Sequence, residues 1–561
     1  MRSPWIATRD LWRRSRTVRV LTYVLASLAV AAVILDRALD RPLRGIVERR
    51  LNENLVGYTA YVQRSNFHIV GLSLVLENTV VRQDAHPEPP VVHIPRLRMS
   101  VHWIDLLVLR VVADATFERP AIYANLEQLQ QESEDPVPLA KRGWQQALES
   151  IYPLKVNHLE VVDGTVVYRE TAGERPLELS DVDMLAKNIR NIRSRERTYP
   201  STIRAKAKVF EVGAAEIDGH ADFLAEPMPG VIGRVDLRDV ELSYFQPLAR
   251  RLGATVHDGF LTGTGAVEWG PGVQVVDLDE VSITGASLEV TVSGRGPTPL
   301  AKTAGERVAE VAKTSLNNPQ VLFRLRRVAV VDANLKVINK SEETPYELDF
   351  SRADIEITNV SSISEDGPAK AVLDATFMGS GSMSAEGTFY PEGKHANVAG
   401  KLVIEDTPLP KLNQLLQAKG KFDVARGTFD LYSEFRIRDG WVEGYIKPLF
   451  RDIEVLDSEQ DKDKNVFKKI YEGIVGGIAK LLENQRGEVA TVTSLNGPLE
   501  NPKANAMQAL SGLLKNAFVK SILPGFQNEI RRVEPYKYRV AMKKQKKAKE
   551  RSDEDEESKP H

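Results

Sequence analysis

Along most of the chain, apolar and polar residues alternate with a period of two, the pattern of a half-buried β-strand. The clearest case is GTFDLYSEFRIRDGWVEG, residues 427–444. Phe429, Leu431, Phe435 and Ile437 fall on one side, with Ser433 the one polar member; Thr428, Asp430, Tyr432, Glu434, Arg436 and Arg438 fall on the other. Asp439-Gly440 is a type I′ hairpin signal. A two-residue turn there sets Ile437 opposite Val442 and Arg436 opposite Glu443, an apolar pair and an opposite-charge pair on matching faces. Strand-like text recurs at 72–81, 159–168, 287–292, 328–338, 355–361, 371–377 and 401–406, often with Asp-Gly or Asn turn chemistry nearby. Roughly 25 to 30 strands about 4.8 Å apart would run for about 120–145 Å, and open sheets beyond about ten strands curl or split.

Helical spacing interrupts this text in a few places. DRALDRPLRGIVERRLNENL (36–55) carries Leu43, Ile46, Val47, Leu51 and Leu55 along one stripe, and further helices are predicted at 139–151, 299–316 and 465–483. These helices are expected to cover sheet ends or faces. YFQPLARRLGATVHDGFLTG (244–263) and LNQLLQAKGKFDVARGTFD (412–430) share an order of short helix, small or Gly break and Gly-bearing strand, with a one-residue slip. That echo predicts internal repetition.

The segment VLTYVLASLAVAAVIL (20–35) is uncharged. It spans about 24 Å as a helix and, with Val18 and a snorkelling Arg19, approaches a hydrocarbon core of about 30 Å. It predicts a membrane anchor over 18–38; a cleaved signal peptide ending near Ala29-Val30-Ala31 is the alternative. Arg2, Arg9, Arg13, Arg14, Arg16 and Arg19 precede the run, and Arg37, Arg41, Arg44, Arg49 and Arg50 follow it. The balance leans towards a cytoplasmic N-terminus, with the bulk of the chain across the membrane.

Composition narrows the chemistry. The net charge is −2, from 75 basic and 77 acidic residues, which gives no reason to expect a nucleic-acid partner. With no cysteine, disulfides, thiol nucleophiles and thiolate metal sites are excluded. His86, His93 and His102 lack metal-ligand spacing, and TGTGAVEW (262–269) lacks the third glycine of a dinucleotide loop. Asp461, Asp463, Asn465 and Glu472 match calcium-loop positions, but Val466 stands where the sharp turn needs glycine. Carboxylates such as Asp349 and Asp354 are scattered over strands and define no acid/base pair. No catalytic, cofactor or metal residue is assigned, and the chain is not expected to be an enzyme.

The anchor with its basic flank, GYTAYVQRSNFHIVGLSLVLENTVV (57–81), VNHLEVVDGTVVY (156–168), the ribbon from 427 and the closing SLNGPLENPKAN (494–505) together resemble the AsmA-like family of envelope proteins from double-membraned bacteria, which includes TamB relatives. The resemblance implies a periplasmic β-groove tethered in the inner membrane and involved in phospholipid movement or outer-membrane homeostasis. It carries no catalytic motif. The fold class expected is mostly β with a few helices, a long curled antiparallel β-groove behind an N-terminal transmembrane helix. The chain then divides into a cytoplasmic basic N-terminus (1–17), the anchor (18–38), a linker helix (39–56), a first groove part (57–296) with a helical insert at 139–151, a second insert (297–319), a second groove part (320–460), C-terminal helices and a capping strand (461–530) and a disordered charged tail (531–561).

Leu373, Phe377, Phe429, Leu431, Phe435, Ile437 and Val442 are the candidate lipid-groove residues, with ordinary core as their competing role. Membrane phospholipids are the expected partners, with outer-membrane or envelope proteins as further candidates. The alternative function is assembly of outer-membrane proteins through pairing at a sheet edge.

Overall fold

The computed structural model describes residues 40–68, 71–101, 112–125, 155–169, 175–189, 197–223, 229–251, 254–270, 273–293, 321–340, 344–362, 366–391, 397–420, 423–455, 488–490 and 493–498, plus a few single positions. The predicted helices at 139–151, 299–316 and 465–483, the calcium-loop-like segment and the tail lie outside the described residues. So does the predicted anchor, except for Val20, Tyr23, Val24 and Ser27, which are helical and exposed. No helix among the described residues is long and apolar enough to cross a membrane.

The described chain is mostly β with few helices, in two compact units. The first unit opens with helix α1 (residues 40–54) and holds β1 (Tyr58–His68), β2 (Ser73–Gln83), β3 (Val92–Val101), β4 (Val112–Glu118), β5 (Ala121–Asn125), β6 (Lys155–Arg169), β7 (Leu177–Lys187), β8 (Ser201–Val209), β9 (Gly213–Asp222) and β10 (Gly230–Glu241). A 3₁₀ turn, Leu242–Phe245, then leads through α2 (Gln246–Arg251) to β11 (Ala254–Gly270). β12 (Val273–Ser293) contributes residues to both units, as do α2, β11 and, through its first residues, β13. The second unit holds β13 (Val321–Lys340), β14 (Tyr346–Ser361), β15 (Ala369–Phe377), β16 (Gly381–Phe389), β17 (Val398–Pro408), a 3₁₀ turn Leu409–Leu412, α3 (Asn413–Gly420), β18 (Val424–Arg438), β19 (Trp441–Val455), β20 (Glu488–Ala490) and β21 (Thr493–Pro498).

Pairing is antiparallel between successive strands from β1 to β4, from β6 to β11 and from β13 to β19, and β20 and β21 both pair with β19. The exception is β6, which runs parallel to β4 and β5. The hairpin read from the sequence forms in the expected register: Asp439 and Gly440 take φ of 51° and 76°, Ile437 faces Val442, and Arg436 faces Glu443.

Helix α1 buries Val47 and Leu51 against Tyr58, Ala60, Val62 and Leu76. It also closes the outer edge of β1. Asn52 Nδ2 donates to the Ala60 carbonyl at 2.8 Å, Asn52 Oδ1 accepts the Ala60 N–H at 2.7 Å, and Asp40 Oδ1 accepts the Phe67 N–H at 2.9 Å. Backbone groups that an open edge would offer to another chain are satisfied internally there.

The 21 strands among the described residues are fewer and longer than the sequence pattern suggests. Polar segments read as turns are absorbed as bulges inside continuous strands. At Asp163, Asp239, Asp332 and Asp406 the backbone enters the left-handed region, with φ between 51° and 55°. In each case a side chain on the next strand accepts the N–H: Asp183 Oδ1 at 3.1 Å, Thr262 Oγ1 at 3.3 Å, Asp354 Oδ1 at 2.9 Å and Asp430 Oδ1 at 2.9 Å, respectively.

These bulges expose a duplication. Register shifts follow Val161, Ser180 and Leu237 in β6, β7 and β10, and follow Val330, Ser351 and Ile404 in β13, β14 and β17. Phe210 and Met378 occupy equivalent left-handed corners, and each donates its N–H at 2.8 Å to a carbonyl of the preceding strand, Glu178 and Asp349 respectively. The echoed segments both follow the course strand, 3₁₀ turn, short helix, strand. The repetition expected from those two segments therefore extends over β6–β11 and β13–β18, with an offset close to 168 residues, as from Gly213 to Gly381.

Each 3₁₀ turn contributes to a buried apolar cluster, joined in the second unit by α3. Beside α2, Phe210 stacks on Tyr244 with ring centroids 4.2 Å apart. Beside α3, Leu409, Leu412, Leu415 and Leu416 pack on Phe377, Phe429 and Leu431. Gly427, at φ 135°, permits this packing, since a Cβ there would sit 2.7 Å from Leu409 Cδ1. Leu415→Ala should lower the opening free energy of β18 by about 2–5 kcal/mol in native-state hydrogen exchange; unchanged protection would mean that α3 does not seal the sheet.

Candidate functional site

Residues paired across an antiparallel ladder share a face, as do alternate residues along a strand. One face of the second unit can therefore be followed strand by strand. Val330 pairs with Ile355, Ile355 with Leu373, Leu373 with Ala385, Ala385 with Leu402, Leu402 with Ser433 and Ser433 with Ile446. The neighbouring row runs Val328, Ile357, Ala371, Gly387, Gly400, Phe435 and Gly444. Across the paired positions from Val328–Val337 on β13 to Val442–Phe450 on β19, that face bears no charged side chain. The opposite face carries Asp354, Glu356, Asp374, Glu386, Lys401, Glu434 and Arg436.

All seven candidate groove residues lie on the uncharged face, but not in equal surroundings. Phe377, Phe429 and Leu431 are sealed beneath α3, at 1%, 0% and 2% exposure. Phe435, Ile437 and Val442 are also buried. The Phe435 ring fits because Gly400 lies opposite, where a Cβ would come within 2.9 Å of its Cζ. Leu373 is half-buried, as are Val330, Ile355 and Ala385 beside it. The row is thus open over β13–β16 and closed at Leu402, Ser433 and Ile446. Period-two alternation identifies the face but not which stretch a helix covers, so the sequence pointed to the ribbon at 427–444 and missed Val330, Ile355 and Ala385.

The first unit repeats this arrangement. Val161 pairs with Met184, Met184 with Ala205, Ala205 with Ile217, Ile217 with Val235 and Val235 with Gly265. The first five are half-buried and Gly265 is buried. These five and their flanking residues line a concavity of about 710 Å³, a size typical of small-molecule sites.

Comparisons of the chain with protein-family models, curated proteins and solved structures find no match.

Charges flanking the first-unit row are mutually neutralised. Arg204 pairs with Asp218 at 2.7 Å, Lys206 with Asp183 at 3.3 Å and Arg234 with Asp279 at 2.9 Å, while Arg238 holds Glu216 at 2.6 Å and Asp236 at 2.7 Å. Exposed pairs of this kind add little stability. Their effect is to leave no concentrated charge beside the row. In the second unit Arg451 bridges Asp406 at 3.0 Å and Asp430 at 2.8 Å, and Tyr432 donates to Glu405 at 2.7 Å. That hydrogen bond, with burial, pushes the pKa of the Tyr432 hydroxyl up to about 12. Among the described residues no cluster of His, Asp or Glu is arranged to hold a metal ion. Asp354 receives the Asp332 N–H, whereas Asp349 on β14 lies opposite Lys336 of β13 in the ladder, and Lys336 reaches Glu347 at 3.9 Å.

One acid is tightly held. Glu268 accepts from Arg197 Nε at 2.8 Å and from the Tyr199 hydroxyl at 2.9 Å, pinning the segment before β8 to β11. The Arg197 hydrogen bond holds its carboxyl below the usual glutamate range against the opposing effect of burial. A depressed carboxyl stabilises the fold above its unfolded pKa, and that contribution is lost as pH falls through the folded pKa. Hydrogen-exchange protection of the Tyr199 and Ser201 amides, corrected for intrinsic rate, should therefore persist through ordinary glutamate titration and fall only at lower pH, while Glu268→Gln should remove the transition. A transition retained in the variant would assign it to another group.

Proposed function

We propose that the chain is an AsmA-like envelope protein, anchored in the inner membrane by residues 18–38, whose periplasmic bulk shields phospholipid acyl chains on its uncharged sheet face. In this role it assists phospholipid transport or outer-membrane homeostasis. The observation that supports the reading best is the combination of no charge and partial openness: the row through Val330, Ile355, Leu373 and Ala385 is apolar and half-buried. A fully dry core needs no cargo. A partly open apolar face gains when hydrocarbon displaces water, by roughly 0.8 kcal/mol per CH₂ buried.

The action is passive and non-enzymatic. A face without charges offers no strong point of attachment, so a tail is retained by contact area and can slide across adjacent strands. Direction then comes from a lipid gradient or a partner. Edge pairing with outer-membrane proteins is the second reading, and the β1 edge gives it no support because α1 occupies the Ala60 and Phe67 backbone groups.

Adjacent residues of β15 give a direct test. Leu373 lies on the uncharged face, whereas Val372, at 50% exposure, pairs with Glu356 and Glu386 on the other. A benzoyl-phenylalanine placed at each position in the full chain in intact membranes should form a phospholipid adduct from position 373 and none from 372, read by mass spectrometry. Adducts from both, or from neither, would refute the assignment.

A further inference from the structure

We infer that one corner of the first unit's sheet rests in the headgroup region of the membrane, and that the uncharged face opens onto the bilayer there. The inference rests on the anchored, lipid-shielding role and specifies where the protein meets its lipid. Helix α1 fixes the corner. It runs antiparallel to β1, so Asn52 holds Ala60 near the start of β1 while Asp40, the first helical residue, accepts the Phe67 N–H at 2.9 Å and, on its carbonyl, the Ser65 hydroxyl. An anchor over 18–38 ends two residues before Asp40, and two residues reach at most about 7 Å. The Val101 N–H donates to the Leu72 carbonyl at 3.1 Å, so the β1–β2 and β3–β4 connections meet at this same corner.

The two ends of these strands differ in chemistry. At the Asp40 end the connections read IVGL (69–72) and HWIDLLVLRV (102–111), and the second has seven apolar residues in ten. At the far end the β2–β3 connection reads DAHPEPPV (84–91), and Gln128 Nε2 donates to its His86 and Pro89 carbonyls at 3.0 and 2.9 Å. Connections ordinarily run over the wet surface and are polar. Aliphatic residues and a tryptophan flanked by His and Arg instead suit the boundary between headgroups and acyl chains, and Arg41 and Arg44, exposed near the start of α1, suit anionic headgroups. The occupant of the corner is therefore the bilayer that holds the anchor.

The uncharged face begins at the same place. Phe67 pairs with Leu74, Leu74 with Met99, Met99 with Ala115 and Ala115 with Leu159, which lies two residues from Val161 on the same face. All five are uncharged, and Phe67, Leu74, Ala115 and Leu159 are half-buried. A tail leaving the bilayer beside Phe67 meets apolar side chains without crossing open water.

The test places single cysteines at two exposed positions, His68→Cys and Ala85→Cys, in a chain that has none of its own. Each carries a bimane label in the full chain, reconstituted into phosphatidylethanolamine and phosphatidylglycerol vesicles whose headgroups bear a nitroxide. Strong quenching at 68 and none at 85 is expected, because the 11 residues of β2 separate the two by about 36 Å. Benzoyl-phenylalanine in place of Phe67, a change that keeps the ring, should also form a phospholipid adduct in membranes. A chain that fails to float with the vesicles refutes the anchor itself. In a floating chain, an unquenched label at 68, or equal quenching at 68 and 85, overturns the membrane corner and leaves the anchor intact. An adduct from position 373 with none from 67 overturns the opening and leaves the lipid role standing, whereas absence from both refutes that role.

Discussion

An uncharged sheet face in water has to be covered, and the organisation of this protein follows from how much of that face the chain covers by itself. Apolar surface left in water costs about 25 cal/mol per Å² relative to burial. In the second unit part of that cost is removed by the 3₁₀ turn and α3, with Leu412, Leu415 and Leu416 over Phe377 and Phe429. Next to the seal, the row centred on Leu373 and Ala385 stays half-buried. The proposed cargo completes cover that the chain supplies in part.

Keeping one face free of charge across many strands requires strict register, since a slip of one residue would turn charged side chains onto it. The bulges meet this requirement. A left-handed kink at Asp163 would be costly if its N–H were left unpaired, but that N–H donates to Asp183, and those of Asp332 and Asp406 donate to Asp354 and Asp430. Each bulge admits an extra residue while the alternation resumes in phase on both sides. Paired charges on the other face, such as Arg204 with Asp218, add cross-strand complementarity that favours the same register.

Local features of this design were legible in the sequence. The Asp439-Gly440 hairpin, the apolar stripe of α1 and the strands around 72–81 and 401–406 all follow from side-chain period and turn chemistry acting over a few residues. The echo between 244–263 and 412–430 was visible too, but its one-residue slip hid the length of the duplication, because the repeats keep pairing and side-chain volume more than residue identity. Asp163-Gly164 illustrates another limit: the same residue types serve a turn or a bulge, and strand pairing decides which. The candidate site was legible as a face, with Leu373 on its open part. The sealing of Phe429 and Leu431 depended on where residues 409–420 fold back, and a strand's own alternation does not encode that contact.

In the proposed account the same face serves two roles: sealed residues hold each repeat together, and half-open residues are available to hydrocarbon. The natural absence of cysteine makes that distinction directly measurable. The decisive measurement is thiol labelling of Leu373→Cys and Val372→Cys in the full chain, before and after phospholipid is added to delipidated protein. Protection of position 373 alone is the predicted result; labelling at 373 that is the same with and without phospholipid would contradict the account.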